Sequence, residues 1–432
     1  MFSIVSKNKK KPNSVIYLYS PQIKYIAYGT KLLYHGFGID SSYHYHATEY
    51  KDKSIILKLK SIPIEKVTCP HCGCTEVIRY GVIHRMVHNL PIGSKRTFLY
   101  LTVQRYQCKA CGKVHQADIP FTRGNVSYTY RFRHYVLDLL RLGGTITNVA
   151  KHLGVGWDMV KDIHKEYLKK KYSHPDISKV TKIGIDEFAV RKGHVYKTIV
   201  VDLDTGRIIY VGDGRGSDSL TGFWKRVKRN KVKIELVTSD MSAAYISSVA
   251  KNAPNAKHVY DKFHVVELVN EAVDKVRRSV WNQEKDIEKR KLIKGTRWML
   301  LSKSLDKFDE ESKKRFDNIL NTNKPLFEAY YLKEDLCQIW MQEGKAEGEK
   351  QLEYWCARAK ESKLPAMIKA ANTLMAKRTG ILAWYDCKVT NAVLEGTNNK
   401  VKVLKRKGYG YRDDEYFKLL LLGMKDETVN TE

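Results

Sequence analysis

Acidic residues are in short supply in this 432-residue chain: 47 Asp and Glu stand against 77 Lys and Arg, a formal net charge of +30. That deficit argues against an ordinary metabolic enzyme and for a polyanionic partner, nucleic acid first and an anionic membrane surface second. Long apolar runs are also missing. No stretch approaches the roughly 18 residues that a membrane-spanning helix needs. MFSIVSKNKKK carries its charge after a short apolar start, the reverse of a secretory signal. A soluble, intracellular protein without a membrane partner is expected. Cysteine, at eight residues, is too sparse for a disulfide scaffold, and no repeat of about 20–50 residues marks a solenoid. What is present is 43% hydrophobic content, on a chain long enough for about two to four domains with buried cores.

Residues 1–65 mix basic and aromatic positions without a clear period and receive no role. From 66 to 120 the text is strand-like, with Leu99, Leu101 and Val103 alternating against Tyr100, Thr102 and Gln104. Helical spacing takes over from 130 to 170. Three apolar, β-branched runs then follow over 181–215 (KIGIDEFAV, YKTIVVDLDTG, RIIYVGDG), with DTGR as a hairpin turn. A helix near 218–230, a strand in KIELVTSD, a helix from about 242 and a short strand in KHVYD complete an α/β pattern. Between about 264 and 380 charged helix formers dominate and strand signals fade, predicting a helical domain inserted into the α/β one.

CPHCGC from 69 and CKACG from 108 each place two thiols two residues apart, so that one tight turn aims both sulfurs at one ion. Together Cys69, Cys72, Cys108 and Cys111 complete a tetrahedral S₄ site for one structural Zn²⁺, and Gly73 and Gly112 suit the two turns. Cys74, His71 and His115 are bystanders in this reading. A closed site of this kind stabilises a fold and presents basic strands, with Lys95, Arg96 and Arg105, to DNA. Next, TITNVAKHLGVGWDMVKDIHKEYLKKKY at 145–172 has a short helix with Val149, Ala150 and Leu153 inward, a glycine turn, and a second helix with Val160 and Ile163 inward. A plain helical hairpin shares this layout. The basic balance and the adjacent ribbon favour a DNA-binding helix-turn-helix, with Trp157, Asp158, Lys161 and Lys165 near its exposed face.

Two carboxylates stand where carboxylates are costly. Asp186 lies inside the apolar run IGIDEF, and Asp240 ends ELVTSD. Asp202 and Asp204 flank a turn, where Asp is at home. A third acid, Glu395, heads the basic run NAVLEGTNNKVKVLKRKGYGYR, which carries Lys400, Lys402, Lys405, Arg406, Lys407 and Arg412. Helix-dipole complementarity accounts for part of its placement. No capping box does, because Ala392 stands where Ser or Thr is required. Converging, the three acids suit a pair of hard cations about 3.5–4 Å apart, which activate a water or 3′-hydroxyl for in-line phosphoryl displacement.

Five blocks together resemble the ISL-three group of bacterial insertion-sequence transposases: the zinc ribbon, the helix-turn-helix, IGIDEFAVRKGHVYKTIVVDLDTGRIIYV, TSDMSAAYISSVAKNAPNAKHVYDKFHVVELVNEAV, and the basic run from Asn391. The similarity covers about residues 66–425. It implies a multidomain chain with an N-terminal zinc ribbon and helix-turn-helix, then an α/β ribonuclease-H-like core interrupted by an all-helical insertion. Asp186, Asp240 and Glu395 are then the DDE triad, holding two Mg²⁺ or Mn²⁺ ions, and the reaction is cleavage at terminal inverted repeats and joining to target DNA. The corresponding boundaries are 1–65 without a role, 66–120 ribbon, 128–175 helix-turn-helix, 180–265 first part of the core, 266–380 insertion, and 381–432 last part of the core. Asp261 and His264, in DKFH, resemble an auxiliary element of such cores, and are equally read as a strand-end Asp and a helix-start His. Trp298, in RWMLLSK, has two readings, a core aromatic or a platform for an unstacked base. The sequence departs from the family at YRDDEYF, where an acidic pair replaces an amide residue, and in the first 65 residues. Pairing two ends implies a homodimer, in the bacterial cytoplasm at the nucleoid. The rivals are a DNA-binding regulator with an inactive core, and a nuclease that cuts without joining.

Overall fold

The structure is a computed structural model that describes residues 33–63, 66–191, 195–302, 306–388 and 392–428. Residues 1–32 of the segment without a role lie outside the described residues. The chain divides into two units, one up to His164 and one from Lys165.

The first unit is built on β1 (Tyr43–Lys51), β2 (Ser54–Ser61), β3 (Val77–Ile92), β4 (Lys95–Cys108) and β5 (Val114–Gln116), in the order β1-β2-β4-β3 with β5 also on β4. Leu99, Leu101 and Val103 are fully buried while the residues between them are partly exposed, the alternation of a sheet with one covered face. The segment without a clear period supplies two of these strands. β2 runs parallel to β4, and Ile55, Leu57 and Leu59 share a core with Leu99 and Leu101. The hairpin β3–β4 therefore leans on a second hairpin. The period of β1, YHYHATEYK, was obscured because tyrosine and histidine have an apolar body and a polar tip.

Three helices follow. Thr129 caps Tyr130–Arg141 and Thr145 caps Ile146–Leu153, each accepting a backbone N–H three residues on. Gly154, at φ 63°, ends the second helix in the left-handed conformation that glycine adopts most cheaply. The third helix, Trp157–Tyr172, buries Val160 and Ile163 as expected.

In the second unit β6 (Lys182–Arg191), β7 (Val195–Asp202) and β8 (Ile208–Asp213) form an antiparallel meander, and β9 (Leu236–Ser239) and β10 (Lys257–Tyr260) add in parallel to give the order β10-β9-β6-β7-β8. This is the ribonuclease-H-like arrangement that the resemblance implies. Strand period 2 sorts the side chains into two layers. Ile183, Ile185, Val200 and Val237 pack on one side with Phe223, Trp224 and Tyr245 of the crossover helices Thr221–Arg229 and Ala243–Asn252. Ile199, Val201 and Ile208 pack on the other with Leu394, Val401, Phe417 and Leu421 of the helices Ala392–Lys407 and Asp414–Thr428. The helices between Lys262 and Cys387 close a core of their own around Val269, Leu326, Trp355 and Leu374.

Candidate active site

The four paired cysteines meet. Cys69 and Cys111 sulfurs are 3.6 Å apart, as are those of Cys72 and Cys108, and all four lie within 4.8 Å of one another. A tetrathiolate with Zn–S bonds of about 2.3 Å has S–S edges of roughly 3.8 Å, so the donor set fits zinc. Gly73 and Gly112 have φ of 71° and 67°, and their amides donate to the Cys69 and Cys108 carbonyls, closing each knuckle. Amides of His71 and Cys111 lower the Cys69 and Cys108 thiols respectively, favouring the thiolates that a metal binds.

The carboxylates are organised by strand register. β6 pairs with β9 through Gly184 and Thr238, and β9 with β10 through Ser239 and Tyr260. Continued along each strand, that register sets Asp186, Asp240 and Asp261 level on three adjacent strands spaced about 4.8 Å. Side-chain alternation along β6 turns Asp186, like Gly184, to the face away from the layer that holds Ile183 and Ile185, and Asp240 and Asp261 are the residues that follow the last paired positions of β9 and β10.

That face is covered by the helix bearing Glu395. Leu394 sits over Gly184, where an added Cβ would come within 2.7 Å of its methyl. Asn398, one turn after Glu395 and on the same helix face, donates from Nδ2 to Asp186 Oδ2 at 2.5 Å. Farther along, Lys405 Nζ donates to the Ala189 carbonyl of β6. Glycine at 184 is what lets the helix approach this closely. We expect Gly184→Ala to lower stability by about 1–3 kcal/mol by lifting the helix that carries Leu394 and Glu395. Gly396→Ala has open space around it and is expected to stabilise by up to about 1 kcal/mol through helix propensity. Thermal melts of both variants check the pair.

Burial holds the Asp186 carboxyl above the usual range; the Asn398 amide and the Glu187 backbone amide pull it down, as does His264, while Asp261 pushes it up. The DKFH pair thus acts electrostatically on Asp186. Asp261 also caps the helix Lys262–Gln283 by accepting from the Phe263 amide, and its carboxylate lies 4.0 Å from His264. Glu187 points to the opposite face, raised by burial, held by Tyr245 and pushed further by Asp240 and Asp186. Lys377 enters from the helical insertion: its Nζ donates to the Met241 carbonyl, and burial lowers it while Asp240 opposes. The three acids Asp186, Asp240 and Glu395 form no trio as tight as the cysteines among the described residues. Bare carboxylates repel, and ligands spanning two ions about 3.5–4 Å apart do not all touch. Their hard oxygen donors fit Mg²⁺-like ions.

Beneath Asp240, Ser239 Oγ donates to the Asp240 carbonyl and lies 2.8 Å from His258 Nε2. The imidazole is therefore assigned as the Nε2–H donor. Burial pushes its pKa down to about 4 from 6.5. The folded value is the lower one, so this contribution is present above about pH 6.5 and lost as pH falls toward 4. By pH 5 the loss is on the order of 2 kcal/mol. Melting temperature should fall more between pH 7 and pH 5 in the wild type than in His258→Gln.

Sequence reasoning missed Asn398, although its spacing from Glu395 was legible, and missed Lys377, for which the sequence carried no signal. Of the expected DNA contacts, Lys400, Lys402, Arg406, Lys407 and Arg412 are exposed. Trp157 is exposed, with the Lys161 ammonium 5.6 Å from its ring. Lys165 has carboxylate partners: Asp413 at 2.9 Å and Glu415 at 2.8 Å. Arg96 donates to the Gly154 carbonyl in the helix-turn-helix. Trp298 is 69% exposed with Arg297 beside its ring, so it is not a core residue; the one-turn helix Arg297–Leu301 turns Leu300 inward instead. The acidic pair of YRDDEYF also has work: Asp413 accepts from the Tyr416 amide, and Asp414 pairs with Lys197 at 2.6 Å and with Lys418.

A thiolate ribbon, a helix-turn-helix and a ribonuclease-H-like sheet with a level row of carboxylates define a class, the DNA-acting DDE transposases. Residues 183–421 match the ISL3 transposase family, residues 65–111 the zinc finger of the transposases of IS204, IS1001, IS1096 and IS1165, and residues 117–168 the helix-turn-helix domain of transposase family ISL3. The transposase for insertion sequence element IS1001 of Bordetella parapertussis is 34% identical over 370 residues, 84% of this chain and 89% of that one. The transposase for IS1557 of Mycobacterium tuberculosis is 27% identical over 355 residues, 77% of this chain and 79% of that one. Among solved structures, a Drosophila P element transposase strand transfer complex aligns over 72% of this chain and 94% of that chain, with a TM-score of 0.37 and 11% identity, a likeness too slight to build on. The chain belongs to the ISL3 family of insertion-sequence transposases. No described helix is long and apolar enough to cross a membrane.

Proposed function

We propose that Asp186, Asp240 and Glu395 are the metal-binding triad of a centre that cleaves and joins DNA with two Mg²⁺ or Mn²⁺ ions, and that Asp261 and His264 assist it. The observation that carries this reading is the level row of strand-end carboxylates onto which Asn398 clasps the helix bearing Glu395. The ions, when bound, supply activation of the attacking oxygen and stabilisation of the departing one. The chain's own residues do the positioning. Asn398 fixes one oxygen of Asp186, and Lys377 holds the turn after Asp240. Lys405 ties the helix to β6, while Lys400, Lys402, Arg406, Lys407 and Arg412 hold phosphates near the ions.

End recognition falls to the zinc ribbon (66–120), with one Zn²⁺, and to the helix-turn-helix (128–175) through Trp157 and Lys161. The core is then 180–265 with 381–432, around an insertion at 266–380 whose exposed Trp298 stacks on an unstacked base. Lys165 is left out of the DNA-contact set, because its ammonium already neutralises Asp413 and Glu415. Two copies pair two ends, at the nucleoid of the cytoplasm, before joining to target DNA.

The test is purified protein incubated with DNA bearing the inverted repeats that flank the reading frame, in Mg²⁺ or Mn²⁺. Joined product is the expected result. Cutting without joining would make it a nuclease, and binding without cutting in any metal a regulator.

A further inference from the structure

The turn that closes the helix Ala392–Lys407 holds Tyr409 at φ 47°, in the left-handed region, with its side chain 100% exposed. Helix ends pass through such a residue often, and it is usually glycine. Glycines stand on both sides here, yet the left-handed position next to the helix is given to tyrosine. Gly410 is also left-handed, at φ 102°. Gly408 is needed for a different reason, since a Cβ there would come within 2.4 Å of the Tyr411 ring. Tyr411 is anchored: its ring stacks on Phe417 with centroids 4.8 Å apart, and its hydroxyl donates to the Leu404 carbonyl at 3.2 Å. The two tyrosines of GYGYR have opposite surroundings. One pins the turn and the other is thrust outward from it.

A bulky aromatic in a disfavoured backbone conformation, wholly in water, gains nothing for the fold; such outliers collect at functional sites. Its chain neighbourhood is basic, with Arg406, Lys407 and Arg412 all exposed. We propose that Tyr409 is a base-stacking contact to the transposon-end DNA. This rests on the reading of the Glu395 helix as a DNA-facing element. Lysines and arginines attract phosphates without regard to base, whereas a ring offers a face on which an unstacked or splayed base can rest. The helix rises about 1.5 Å per residue, so Tyr409 lies roughly 20 Å along it from Glu395. With DNA laid along the helix at about 3.4 Å per step, the stacked base is roughly six steps from the cleavage point.

The experiment measures binding of full-length, zinc-loaded protein to a fluorescent duplex of the flanking inverted repeat across a salt series. The variants are Tyr409→Ala, Tyr409→Phe and Tyr409→Gly, and each is also melted. Ala and Gly are expected to bind about ten-fold weaker or worse, with Phe within about two-fold of wild type. The slope of log affinity against log salt should be unchanged, because no phosphate contact is lost. Gly should melt at or above the wild-type temperature, because it relieves the left-handed strain. Binding by Tyr409→Ala equal to wild type overturns the inference. So does a Gly variant that melts lower, which would make the ring structural. If the wild type itself does not prefer the repeat over a scrambled duplex, the functional reading falls and this one falls with it.

Discussion

Asp186→Asn is expected to lower DNA strand cleavage by roughly three orders of magnitude or more while leaving binding to the terminal repeat intact. Several kcal/mol of transition-state stabilisation depend on the metal ligands, and each 1.36 kcal/mol is about ten-fold in rate. Asparagine has the same shape, but its one carbonyl can accept from the Asn398 amide or from the Glu187 backbone amide, not from both as the carboxylate does. Burial already disfavours the ionised carboxylate at this position, which offsets the lost hydrogen bond of about 1 kcal/mol, so the melting temperature should change little. Activity and stability therefore move independently, which separates a metal ligand from a structural acid. Cleavage gels, gel shifts and melts on one preparation make the comparison, and undiminished cleavage by the variant would end the triad assignment. Asp261→Asn is the informative companion. Asparagine caps a helix as well as aspartate does, so that change removes the charge beside Asp186 without unpicking the helix Lys262–Gln283.

Stripping zinc should have an effect of similar size, read in folding rather than in chemistry. A structural zinc site contributes on the order of 10–16 kcal/mol, as much as the whole stability of an ordinary domain, about 5–15 kcal/mol. Metal analysis should find one zinc per chain. Cys69→Ser or Cys108→Ser should lose it, together with preference for the terminal repeat. Cys74→Ser is the control: its sulfur is outside the tetrathiolate and accepts from the Glu76 amide at 3.3 Å, so zinc and binding should both persist. Loss of zinc in the Cys74 variant would mean that the ligand set has been misassigned.

Much of the local architecture was legible because local spacing encodes it. Two thiols two residues apart need only one turn to converge. The apolar spacing of the helix-turn-helix and the threonines and glycine at its ends are likewise contained within a few residues. The acids Asp186 and Asp240 stood out against their apolar strands for the same reason. The hairpin from Tyr43 to Ser61 was not legible, since its value comes from pairing with β4, on which it leans. Lys165 looked like a DNA contact on a basic helix, and only the folded chain shows the carboxylates it meets.

By itself, then, the sequence determined the zinc knuckles, the helix-turn-helix and the strands of the ribonuclease-H-like sheet with the acids that stand out in them, because each depends on short-range period and on side-chain chemistry. The tertiary structure decided the level row of Asp186, Asp240 and Asp261, the clasp of Asn398, the close approach over Gly184, and which tyrosine of GYGYR faces water. Those depend on strand register and on the packing of helices that return to the sheet only after the whole helical insertion. A one-residue slip in register would turn Asp186 to the other face, and no local pattern records which register the packed core selects.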